Sequence, residues 1–155
     1  MKVKLMTTGF AVTLLAGAAL TVSMTIGASQ VSAAAERRGE IHATKECSQY
    51  FGASGQFCTF TSSDLSALKV GTKIYYVQAA FILPFGLDSN VILDAGNGDR
   101  ATGRCTVDFF TGVGLCTFSD GTGAFAGFRA RVVVTPTSQV NYRWDGTYSF
   151  SPGND

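Results

Sequence analysis

The segment Val140-Asn141-Tyr142-Arg143-Trp144-Asp145-Gly146-Thr147-Tyr148-Ser149-Phe150 alternates without a break. Val140, Tyr142, Trp144, Gly146, Tyr148 and Phe150 share one parity, while Asn141, Arg143, Asp145, Thr147 and Ser149 share the other. Successive side chains of a strand point to opposite faces, so this period of two predicts a long final strand with an aromatic face and a wet face. Just before it, Gly127 to Thr135 repeats the pattern: Phe128, Ala130, Val132 and Val134 fall on one face, Arg129 and Arg131 on the other. Pro136-Thr137-Ser138 supplies turn residues between the two, and the pair reads as a hairpin.

Working back toward the N-terminus, strands are expected at Phe57 to Thr61, Lys73 to Leu83, Val91 to Asp94, Gly103 to Phe109 and Gly114 to Phe118. Turns are expected at Gly96-Asn97-Gly98-Asp99, Thr111-Gly112-Val113-Gly114 and Asp120-Gly121-Thr122-Gly123. Apart from a short turn at Ser62 to Leu68, no segment after the N-terminal region carries a helical period. About seven short strands with glycine turns predict one all-β domain from Cys47 to Asp155, a sandwich or a barrel.

The four cysteines, Cys47, Cys58, Cys105 and Cys116, read as two disulfides. Four cysteines allow three connectivities. Cys47–Cys58 and Cys105–Cys116 are the preferred pairs, because each brackets a glycine-containing segment able to fold back. Parity agrees for the second pair, since Cys105, Val107 and Phe109 share a face, as do Cys116 and Phe118. Zinc is disfavoured: the spacings lack close Cys pairs, and the chain has one histidine.

Ahead of the cysteines, Met1-Lys2-Val3-Lys4 is a short basic start, followed by an apolar, small-residue stretch from about Phe10 to Ala28. Val31-Ser32-Ala33-Ala34-Ala35 then offers small residues to a signal peptidase. This is the pattern of a cleavable secretory signal over 1–35, cut after Ala33 or Ala35, leaving no stable membrane anchor. Residues 36–46 are polar without period and are expected to be a flexible lead-in. The expected destination is secreted or periplasmic, an oxidising setting that suits two disulfides. Loss of Lys2 and Lys4 with the leader takes the formal charge from +1 to −1. A near-neutral domain with scattered charges has no footprint for nucleic acid.

The chemistry-bearing motifs are sparse. His42 is the sole histidine and lies in the polar lead-in, so a Ser–His–Asp triad is disfavoured. In Gly121 to Gly127 the third glycine of a nucleotide loop comes one residue late and a strand follows, so a tight hairpin turn is expected instead. Asp88, Asp94, Asn97 and Asp99 are oxygen ligands in a loop-rich stretch, but their spacing does not fit an EF-hand and turns require the same residues. No metal and no cofactor is therefore expected. The aromatic face of the last strand is the leading candidate. Tyr142, Trp144 and Tyr148, with Tyr75 or Tyr76 opposite, either line a ligand cavity or fill the core.

The run Asp120-Gly-Thr-Gly-Ala-Phe-Ala-Gly-Phe-Arg-Ala-Arg-Val-Val-Val134, followed by Tyr142-Arg-Trp-Asp-Gly-Thr-Tyr148, resembles the allene oxide cyclase-like barrel superfamily, to which plant dirigent proteins belong. Val70-Gly71-Thr72-Lys73-Ile74-Tyr75 is similar to a strand start in the middle of those barrels. The resemblance implies a small eight-stranded antiparallel barrel of calycin-like form, often trimeric in the plant members and so a homo-oligomer here. It also implies a small hydrophobic ligand inside, and a cofactor-independent cyclase or isomerase if the protein is an enzyme. Such a reaction runs on conformational restraint and one or two hydrogen bonds. The expected ligand-binding residues are Tyr76, Tyr142, Trp144 and Tyr148, with the three tyrosines as hydrogen-bond donors. The family's polar catalytic residues do not map onto this chain, so no catalytic residue is assigned. The alternative is a non-catalytic secreted ligand-binding or interaction module.

Overall fold

The structure, a computed structural model, describes residues 38–81 and 85–151. The expected leader and its cleavage points lie outside these residues. The described chain is a closed antiparallel barrel whose strands are neighbours in chain order: β1 (Arg38–Glu46), β2 (Phe57–Ser63), β3 (Lys73–Tyr76), β4 (Gly86–Asp94), β5 (Arg100–Asp108), β6 (Gly114–Thr122), β7 (Phe128–Pro136) and β8 (Asn141–Phe150). One turn of 3-10 helix, Gly123–Phe125, joins β6 to β7. The all-β, eight-stranded, disulfide-stapled fold is as expected, and closure leaves no long sheet edge to template aggregation.

The β7–β8 hairpin forms in the expected register, with Val132 opposite Gly146 and Val134 opposite Trp144. Several boundaries differ from expectation. Within the lead-in expected to be flexible, Arg38–Glu46 instead forms β1, paired along its length with β8 and over Ala43–Glu46 with β2. Its outward residues are charged or polar, but Ile41, Ala43, Lys45 and Cys47 alternate inward and are buried. Strand β3 stops at Tyr76, because Val77 to Phe81 leave the sheet for a loop that returns at Phe81, bridged to Gly86. Strand β4 begins at Gly86 rather than Val91, with Leu87 and Ser89 facing in between the outward Asp88 and Asn90. The chain also reverses slightly later than expected, since β6 continues through Thr122 before the 3-10 turn.

Inside, Trp144 packs edge-on against Phe60 at 4.8 Å and beside Phe118 at 5.7 Å, with Phe128, Ile74, Leu93 and Val132 buried around them. Each such side chain taken fully from water contributes about 1.5–3 kcal/mol. Two glycines make room. A Cβ on Gly146 would strike the backbone of Arg131 and Val132, and one on Gly103 would lie 2.6 Å from the Phe118 ring. Both disulfides are internal: Cys105 and Cys116 face each other across β5 and β6, and Cys47, just past β1, joins Cys58 on β2. The pairing is the one preferred from the sequence.

The two ends of the barrel differ. At one, the 64–72 loop and the 3-10 turn bring in Leu65, Leu68 and Phe125, all buried. At the other, the loops after β1, β3 and β5 carry Tyr50, Phe51, Phe81, Phe85 and Phe109 around an opening.

Candidate functional site

The opening is a cleft of about 470 Å³ walled by Tyr50, Phe51, Phe81, Phe85, Phe109 and Tyr142, with Gly52, Ala80 and Gly112 between them. Phe85 stands edge-on to Phe109 at 5.0 Å. Four of the wall residues are phenylalanines, and the tyrosines and glycine backbone add polar groups, a lining suited to a flat, largely apolar molecule with a polar group.

Lys45 connects to this cleft through Tyr142, which is both a cleft wall and its partner across β1 and β8. Its inward parity in β1 sets it opposite Tyr142 on β8 and Phe60 on β2. A register shift between Thr44 and Lys45 marks a β-bulge at this point, a device that re-aims side chains. Lys45 is 2% exposed. Its Nζ donates to Tyr76 Oη at 2.6 Å and lies 5.4, 5.7 and 5.2 Å from the ring centres of Tyr76, Tyr142 and Trp144. Three π faces around one cation form a partial aromatic cage. Tyr76 also sits against Cys58 Sγ at 3.6 Å, and Tyr50 packs on it with the rings tilted by 45° and their centres 4.6 Å apart.

The electrostatics follow from burial. Among the described residues no carboxylate lies within ion-pair distance of Lys45, so desolvation of the ammonium is uncompensated and its pKa falls to about 7. Burial likewise pushes the Tyr50 hydroxyl up to about 12, with the neighbouring Tyr142 adding to it, and raises Tyr76 further still. The hydrogen-bond inventory is lopsided. Tyr50 Oη and Trp144 Nε1 are buried without partners, and Lys45 carries three N–H groups with one oxygen acceptor. The site is rich in donors and short of acceptors.

Of the expected site residues, the fold brings together Tyr76, Tyr142 and Trp144. Tyr142 forms both cleft wall and lysine cage, whereas Trp144 is packed below. Tyr148 lies elsewhere, six residues along β8 and so about 20 Å away, where its ring covers Gly39 and contacts Phe150. Tyr75 points to the outside beside Phe57. Sequence reasoning missed Lys45 and Tyr50. The alternation Ile41, Ala43, Lys45, Cys47 was a signal for the first, since it puts a cation on an otherwise apolar face.

The remaining candidates resolve into structural roles. His42 is exposed on β1, its ring bonded to Asp145 at 2.9 Å, and that hydrogen bond raises its pKa. Asp88 and Asp94 pair with Arg104 and Arg100, Asp99 accepts from the Ala124 amide at 2.9 Å, and Asn97 takes the left-handed turn conformation at φ 55°. A wider depression of about 700 Å³ lies on the outer wall among Phe81, Phe85, Phe110, Val113 and Val133. Arg131, Asp88 and Asp108 reach its rim. Among the described residues no helix is long and apolar enough to cross a membrane.

Comparison with known proteins gives no match to a family model, to a curated protein or to a solved structure.

Proposed function

We propose that this protein is an exported barrel that binds a small hydrophobic molecule at its open end. The observation that carries the reading is the aromatic cleft over a buried cation: apolar walls for the body of a ligand, and a cluster of polar tips for one functional group. The packed interior around Trp144 favours binding in the mouth over a ligand sealed at the barrel centre. Two internal disulfides are compatible with an oxidising compartment, which supports export. The likeness of Asp120 to Val134 and Tyr142 to Tyr148 to allene oxide cyclase-like barrels supports the same ligand class, and self-association as in the plant members belongs to the same proposal. The test is fluorescence of Trp144, the only tryptophan, during titration with polyenes, fatty-acid epoxides and phenolics. A saturable change with one class supports the reading; a flat response to all of them favours the interaction module.

A second reading, catalysis of ring closure or isomerisation, rests on the Lys45–Tyr76 contact. An amine with pKa about 7 can gain or lose a proton at neutral pH, and a neighbouring hydroxyl can donate to a developing oxyanion. Conversion of a bound epoxide by the wild type and its loss in Tyr76→Phe, with binding retained, is the expected result for an enzyme. Unchanged turnover in that variant removes Tyr76 from the chemistry.

A further inference from the structure

We propose that the ligand of the mouth is an amphipathic monocarboxylate, its apolar body in the aromatic cleft and its carboxylate on Lys45. This rests on the hydrophobic-ligand reading above and adds the functional group that the site selects. The argument is one of unmet partners. A buried ammonium held by one phenol and three ring faces lacks the counter-charge that buried cations otherwise have. Around it, Tyr50 Oη and Trp144 Nε1 are unbonded donors in the same aromatic cluster. A carboxylate is all acceptor, with two oxygens and about four lone-pair sites, so it answers the charge and the donor surplus together. A neutral ester or alcohol answers neither in full.

The path is set by two residues. Tyr142 belongs both to the cleft wall and to the cage around Lys45, and Tyr50, also of the wall, packs on Tyr76 of that cage, so the head group is proposed to enter past these two rings. The cleft then takes the body of the molecule, and its length limits the tail that is covered. The groups facing Lys45 from the elements packed on it are Tyr142 and Trp144 of β8, Tyr76 of β3 and Phe60 of β2, with the disulfide-bonded Cys58 and Tyr50 packed against Tyr76. Burial raises Tyr50 and Tyr76 away from neutrality. Lys45 is therefore the group that makes binding depend on pH in the neutral range.

The experiment pairs dodecanoate and 6-phenylhexanoate with their methyl esters, using the oxidised protein and Trp144 fluorescence with calorimetry as a second readout. The expected result is that each acid binds at least about tenfold more tightly than its ester. Only the protein fraction with protonated Lys45 is competent, so acid affinity should fall roughly tenfold between about pH 6 and about pH 8 while ester affinity stays level. Lys45→Met should abolish the preference for the acid and keep ester binding, whereas Lys45→Arg should retain part of the preference. Should the methionine variant fail to fold, the wild-type pH profile still decides. Equal, pH-independent binding of acid and ester overturns the carboxylate inference and leaves the hydrophobic mouth standing. Absence of saturable binding for all four compounds overturns both.

Discussion

Lys45 reaches past β2 to donate to Tyr76 on β3 at 2.6 Å, and no carboxylate among the described residues answers its charge. Such an arrangement opposes folding while the lysine is protonated, because the unfolded chain solvates the ammonium and the barrel does not. The sign of the pH effect follows. The folded pKa of about 7 lies below the unfolded value of 10.5, so between them the unfolded chain holds the extra proton and stability rises with pH. Below about pH 7 the penalty is present in full. We expect the urea midpoint to climb from about pH 7 to about pH 9. In Lys45→Met this rise should be absent, and below pH 7 the variant should match or exceed the wild type by about 1–3 kcal/mol. A wild-type midpoint that is level across that range would mean the ammonium is solvated.

Tyr76→Phe leaves the ammonium without its oxygen acceptor. The expected loss is about 1–3 kcal/mol near pH 6, where Lys45 is charged, shrinking near pH 9, where it is neutral. Denaturation at the two pH values measures the difference, and an equal loss at both would assign Tyr76 a packing role alone.

The fold was legible where one face is apolar and the other wet. From Phe128 to Phe150 the alternation carries strand, turn and register together. It was illegible in β1 for a physical reason: three of its outward residues are Arg38, Glu40 and His42, and one of its inward residues is Lys45, so hydropathy shows no stripe. The apolar run after Tyr76 misled in the opposite sense, since Val77 and Phe81 belong to the loop that builds the mouth. The candidate site suffered from both errors. Tyr76 and Tyr142 were visible as aromatics of inward parity, whereas Lys45 sat in a segment read as a tail, and Tyr50 owes its place to the loop clamped by Cys47–Cys58.

The two disulfides close loops of the same separation, 11 residues each. In the chain-entropy model they therefore contribute equally, about 2–4 kcal/mol apiece. Cys105 and Cys116 are wholly buried, while Cys47 is 8% exposed. Replacing Cys105 and Cys116 together by alanine should cost more than replacing Cys47 and Cys58, by about 1–2 kcal/mol of lost packing. Thermal unfolding of the two double variants tests this; identical losses would leave loop closure as the sole contribution.

Gly146 faces inward where β7 crosses closely behind it, and an added Cβ meets the Arg131 and Val132 backbone. Backbone yields less readily than a side chain. Gly146→Ala is expected to lower stability by more than about 2 kcal/mol, or to prevent folding. Alanine at Gly98, where a Cβ meets nothing within 4 Å but φ is 85°, should cost about 1 kcal/mol through conformation alone. Comparable losses in the two would argue against a tight β7–β8 contact.

On the outer wall, the Asp145 hydrogen bond is the largest influence raising the His42 pKa. Asp145→Asn should lower the midpoint of the His42 ring protons in an NMR titration. An unmoved midpoint would mean that the 2.9 Å contact does not persist in solution.

Seven of the eight strand seams join consecutive strands, so each can zip as a local hairpin. The eighth brings β1 to β8 and joins residues as distant as His42 and Asp145, 103 positions apart. Chain-closure entropy makes this seam the slowest to form. Lys45 and Tyr142 face each other across that seam. A molecule emerging amino end first thus exposes its lysine early and encloses it last. The mouth comes into being only when the final stave locks home, so an occupant that grips both sides of the seam would act as a clasp on the finished barrel.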